Sequence, residues 1–95
     1  MFHTAVAADW QLAFESAFRE AFGRRVGMLL VGWEWTLEAG ITAVRAENRR
    51  TRRVTRLVLP RNTLLLDPED VADRAAGQLY LMLRQPIGPP SIAFL

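Results

Sequence analysis

Arginine is the side chain in this sequence whose spacing points most directly to chemistry. Arg45, Arg49, Arg50, Arg52, Arg53 and Arg56 crowd into one short stretch. A guanidinium stays charged at any physiological pH and presents a planar fork of donors that matches a phosphate or a carboxylate. A cluster of them repels itself unless an anion neutralises it, so the chemistry indicated is anion recognition. The anion is the phosphate backbone of RNA or DNA, or the acids of a protein partner. Two plainer accounts stand beside this one: the charges are simply solvated, or they pair with Glu69, Asp70 and Asp73 later in the chain. No aromatic residue is interleaved among the arginines, so a base-stacking strip is not indicated. All 12 basic residues are arginine and none is lysine, which codon usage in a GC-rich gene also explains.

Other chemistry finds few candidates. There is no cysteine, hence no disulfide, thiol nucleophile or thiolate metal site, and the single histidine, His3, sits next to the N-terminus. Glu34 and Glu38 can be drawn as a carboxylate pair, but strand alternation puts both on a polar face near a turn, where two surface acids explain them. Asp67, Glu69, Asp70 and Asp73 can be drawn as an oxygen-ligand metal site, but helix capping accounts for the first three. Gly23, Gly27 and Gly32 match neither nucleotide-binding fingerprint. The sequence therefore predicts no enzyme, no cofactor and no metal.

These residues must be held by a small fold. Ninety-five residues, 51% of them hydrophobic and 23% charged, are enough for one domain with a single core. No apolar run is long enough to cross a membrane. Met1-Phe2-His3 lacks the basic start of a secretory leader, so the cytoplasm is the expected compartment. The net charge of +2 conceals three blocks. Residues 1–23 and 63–95 are acidic, and residues 24–62 are strongly basic.

Asp9 followed by Trp10, Phe14, Phe18 and Phe22 predicts a helix over 9–22, stopped by Gly23, with the aromatics as its core face. From Leu29 the period changes to two, with Leu29, Val31, Trp33 and Trp35 on one parity. This predicts strands at about 26–36 and 41–46, broken near Glu38-Ala39-Gly40. A helix over 33–46 competes, but would leave Trp35 in water and Gly40 in mid-helix. Glu47–Thr51 reads as a hairpin tip and Arg52–Leu59 as a third strand. Asp67-Pro68-Glu69-Asp70 then opens a second helix reaching about Arg84. The expected fold is α+β: two layers in the order α-β-β-β-α, with a three-stranded antiparallel meander and both helices on one face.

That order resembles the double-stranded RNA-binding domain. The second helix of that family opens with basic residues that grip phosphates, whereas Asp67, Glu69 and Asp70 stand at the matching turn here. The resemblance implies topology alone, and no site residue is carried over.

Residues 1–85 are expected to form the domain, and residues 86–95 a proline-rich apolar tail. Behind Pro89 and Pro90, Ile92, Phe94 and Leu95 either dock into a partner or fold back over the domain's own sheet. Sheet edges and an apolar tail together predict a non-catalytic module of protein–protein contact, an assembly component, adaptor or inhibitor that is expected to self-associate. The alternative is a nucleic-acid-binding protein that uses the arginine hairpin.

Overall fold

Aromatic rings spaced four residues apart stack along one side of a helix, and such a ladder organises this molecule. A computed structural model describes residues 2–23, 29–36, 38–85 and 91–95, with the side chains of the first helix described from residue 8 onward. In α1 (Phe2–Phe22), Trp10, Phe14, Phe18 and Phe22 are all buried. Their successive ring centroids lie 5.3, 5.8 and 5.2 Å apart. The helix begins at Phe2 rather than at the predicted Asp9 cap, because the alanine-rich run before Asp9 suits a helix and holds no breaker. Asp9 is an exposed residue within it.

The sheet contains β1 (Leu29–Thr36), β2 (Gly40–Asn48), β3 (Val54–Val58) and β4 (Ile92–Phe94), ordered β1-β2-β3-β4. The first three strands form the predicted antiparallel meander. Residues 40–46 are strand, as the argument against a mid-helix Gly40 expected, and β2 runs on to Asn48; the companion argument fails, because Trp35 is left exposed in the strand as well. The predicted start of the first strand, residues 26–28, lies outside the described residues. Arg52 and Arg53, expected in the third strand, belong instead to the turn before it.

Between β3 and β4 the chain makes a 3-10 turn (Thr63–Leu65) and then α2 (Pro68–Leu83). Asp67 caps α2 as predicted: its carboxylate accepts from the Asp70 N–H at 3.1 Å, with Pro68 in the first turn. A helical crossover returns the chain to a strand parallel with the one it left. This is how β4 joins β3 in parallel, with Arg56 opposite Ile92 and Val58 opposite Phe94. Backbone bonds from Arg56 N to Ser91 O at 3.0 Å and from Leu95 N to Val58 O at 2.8 Å fix it there. The fourth strand is an addition to the expected meander.

Both helices cover the same sheet face. Val44, Ala46, Leu57 and Leu59 of the sheet region join the aromatic ladder and Val71, Ala72, Ala75, Ala76, Leu79 and Met82 in one core. Trp33 stands edge-on between Phe14 and Phe18, at 5.4 and 5.1 Å. The Trp10 indole N–H donates to Leu66 O at 2.8 Å, tying α1 to the entry of α2. Trp35 has the parity of Trp33 but is 53% exposed.

The β1–β2 connection depends on two residues. Gly40 has φ +74, and a Cβ there would lie 2.8 Å from Leu64 Cδ2 and 3.2 Å from Thr63 Oγ1. The buried Thr63 hydroxyl sits 3.0 Å from both Ala39 O and Ile41 O, sharing its one proton between them. Gly40→Ala therefore meets both left-handed strain and a clash. It is expected to destabilise the fold by about 1–3 kcal/mol, seen as a lowered urea midpoint with an unchanged slope.

Candidate interaction surface

With both helices on one side, no element among the described residues covers the other face of the sheet, and strand alternation decides what it carries. Val44 and Ala46 point into the core, so Arg45 and Glu47 point away. The register extends this to Leu30 and Gly32 on β1, Val54, Arg56 and Val58 on β3, and Ile92 and Phe94 on β4. Leu30 is 48% exposed, Ile92 46% and Phe94 72%. A depression of about 240 Å³ lies on this face, lined by Leu30, Gly32, Arg45, Glu47 and Val54 among others.

One ion pair crosses the open face. Arg56 on β3 reaches over β2 to Glu34 on β1, donating from Nε to Oε2 and from Nη2 to Oε1 at 2.9 Å, a two-pronged contact. Ala43, directly opposite Glu34 in the register, is fully buried. The bond from Arg56 holds the Glu34 carboxyl below the usual carboxylate range. Burial opposes this in part, and the charges of Arg56 and Arg45 add to the lowering. Glu34 is thus a cross-sheet clamp rather than a partner of Glu38, which lies in the exposed turn after β1. Sequence parity placed Glu34 on the polar face, but its partner could be named only with the register of all three strands.

The six predicted arginines separate. Arg56 is committed to Glu34. Arg52 lies 4.0 Å from Glu47, a contact missed from sequence, with its side chain 78% exposed. Arg45, Arg49, Arg50 and Arg53 are exposed, and no ion pair among the described residues engages them. Pairing with Glu69, Asp70 and Asp73 is not what the structure contains. Glu69 and Asp73 instead face Glu20 of α1 across a groove of about 540 Å³ on the helical layer.

Asn48 shapes the hairpin tip. Its side-chain oxygen accepts from the N–H groups of Arg50 and Thr51 at 2.9 and 3.1 Å, and its carbonyl accepts from Arg52 N at 2.7 Å. This turn leaves Arg52 at φ +63, a conformation that favours glycine.

The C-terminal segment lies along the edge of the domain's own sheet, where a course back over that sheet was one of the two expectations. Ile92–Phe94 completes the domain's own sheet, and Leu95 packs partly buried against the core with Ala93. Ile92 and Phe94 keep their side chains on the open face. Residues 86–90 of the predicted tail, and the side chain of His3, lie outside the described residues. Among the described residues no cluster of His, Cys, Asp and Glu suits a metal ion, and no helix is long and apolar enough to cross a membrane.

Comparison with known proteins gave no matching family model, no matching curated protein and no matching solved structure.

Because the folded-state pKa of Glu34 is depressed, the clamp contributes stability above the ordinary carboxylate pKa and loses it as pH falls through the depressed value. The pair is over a third exposed on each side, so its contribution is screened by salt. In acid titrations of unfolding, Glu34→Gln is expected to flatten the acid limb relative to the wild type. The difference should shrink in molar salt.

Proposed function

We propose that this chain is a small non-catalytic interaction module that works in the cytoplasm by protein–protein contact, as an assembly component, adaptor or inhibitor of a larger complex. One observation carries the reading: among the described residues, the four-stranded sheet is roofed by helices on one side only. Leu30, Ile92 and Phe94 lie exposed on its bare side. Apolar side chains grouped on one face and interspersed with arginine are the composition of a contact surface, and arginine is enriched where proteins meet. The Glu34–Arg56 clamp neutralises two charges near the centre of this face, which carries apolar side chains towards both edges.

Crosslinking with mass spectrometry on the tagged chain in its native cells tests this. Crosslinked neighbours are expected to map to the open sheet face, and Ile92→Asp with Phe94→Asp is expected to remove them while the far-UV circular dichroism stays as in the wild type. Neighbours other than a second copy of this chain that survive the double substitution, or that map to the helical layer, reject the reading.

A second reading draws on a different observation, the separation of the arginines. Arg45, Arg49, Arg50 and Arg53 have no ion-pair partner among the described residues. An arginine also occupies position 52, where the backbone favours glycine. On this reading the hairpin grips the phosphates of RNA or DNA. Binding to a labelled duplex should then weaken steeply with salt, and Arg50→Ala with Arg53→Ala should flatten the log–log slope by about 0.9 for each phosphate that is no longer neutralised. Binding that ignores salt, or no binding to either duplex, removes it.

A further inference from the structure

The outer edge of β1 carries an inference that rests on the protein-contact reading and adds to the open face a second contact, with another copy of this chain. β1 ends the sheet, so the N–H and C=O groups along its outer side have no strand to pair with among the described residues. Protein chains usually guard such an edge with lysine, proline, a bulge or an inward-pointing charge. Leu-Leu-Val-Gly-Trp-Glu-Trp-Thr has neither lysine nor proline. The register shift near its end leaves the extra residue, Thr42, on β2. Its only charge, Glu34, is drawn across the sheet by Arg56.

Two further features of this strand have no explanation among the described residues. Gly32 sits in its middle, away from the bulge. A Cβ at Gly32 would meet nothing within 4 Å, so no contact among the described residues calls for glycine there. A glycine within a strand costs stability and often marks the close approach of another backbone. Trp35 is half exposed, although it lies on the helix-covered parity. Further along the same face, at the other end of β1, a partly open hollow of about 120 Å³ is lined by Phe18, Phe22, Leu29, Val31 and Trp33 among others. A knob and a hole on one face of one edge strand are exchanged by a two-fold axis perpendicular to the sheet. With that axis at Gly32, antiparallel pairing sets Val31 opposite Trp33 of the second copy, Leu30 opposite Glu34, and Leu29 opposite Trp35. Each pair shares a face, as antiparallel strands require.

We propose that two copies of this chain pair antiparallel along the outer edges of their β1 strands, about a two-fold axis at Gly32, each placing Trp35 in the apolar hollow beside Leu29 of the other. The product is a continuous eight-stranded sheet with the helices of both copies on one side and the two open faces joined on the other. Mutual insertion of an aromatic anchor adds to the backbone bonds the apolar burial that strand addition alone lacks.

Light scattering on the purified chain is expected to give twice the mass of one chain. Gly32→Lys directs a charge into space that is open in one copy but faces its symmetry mate in the pair. It is expected to raise the dimer dissociation constant by about tenfold or more with an unchanged far-UV spectrum, and Trp35→Ala to weaken the dimer in the same sense. The chain has no cysteine, so Gly32→Cys supplies a unique reporter. Across the axis its Cβ atoms would lie about 4.5–5.5 Å apart, and a short thiol crosslinker should join them, while Arg50→Cys at the hairpin tip stays unjoined. A wild-type chain that remains single at every concentration overturns the proposal. So does a dimer that persists in Gly32→Lys and crosslinks at position 50 instead of 32. Either result leaves the protein-contact reading standing, because that reading fails on the Ile92/Phe94 test.

Discussion

The packing of Trp33 against the aromatic ladder of α1 sets the geometry on which the rest of this structure depends. Trp10, Phe14, Phe18 and Phe22 form a continuous apolar wall, and Trp33 meets it edge-on at two rings. Such contacts favour a defined angle as well as burial, so the ladder fixes how α1 lies over the sheet. The Trp10 indole then holds Leu66 O, which places the Asp67 cap and starts α2 beside α1. Three alanines of α2, Ala72, Ala75 and Ala76, are buried in this core, and small side chains let two helices approach closely. Both helices are thereby committed to one face, and among the described residues no element covers the other.

On that open face electrostatics takes over from packing. The Glu34–Arg56 clamp ties the first and third strands together across the second, at the place where the bulged Thr42 disturbs their pairing. The Thr42 hydroxyl also donates to Glu34 O at 3.2 Å. One carboxylate therefore serves as a local staple and removes one arginine from the basic cluster. The helical layer carries more acidic than basic side chains, with Arg19, Arg74 and Arg84 as its basic members. Glu20, Glu69 and Asp73 gather on the helical side, while Arg45, Arg49, Arg50 and Arg53 occupy the hairpin and open face. The molecule carries a dipolar surface that a net charge of +2 does not reveal.

Period and caps made the elements legible in the sequence. The four-residue aromatic repeat, the change to alternation at Leu29 and the Asp67-Pro68 start each reflect a local geometry the chain cannot avoid, and each element appeared where its pattern lay. Asp9 misled because a plausible cap was preceded by residues equally content in a helix. Pairings over long distance were less accessible. Glu34 finds Arg56 only through the register of three strands, and the Ile92–Phe94 strand depends on α2 carrying the chain back beside β3. The arginine cluster was legible as a group. Its division into one clamped, one weakly paired and several free members was not, because that depends on which face each residue takes.

The two edges of the sheet differ in a telling way. On the β4 side the sheet ends in a three-residue strand, short enough to offer little template for another chain. On the β1 side it ends in eight residues whose one charge is spent on an internal clamp. A lysine or proline in β1 would have closed that edge at little cost to the core, since Gly32 has open space around it. The sequence instead keeps glycine at the centre and tryptophan near the end of that strand, residues that weaken an isolated edge and strengthen a paired one. Composition and topology thus act on this edge in the same direction, and both leave its backbone groups without a strand among the described residues.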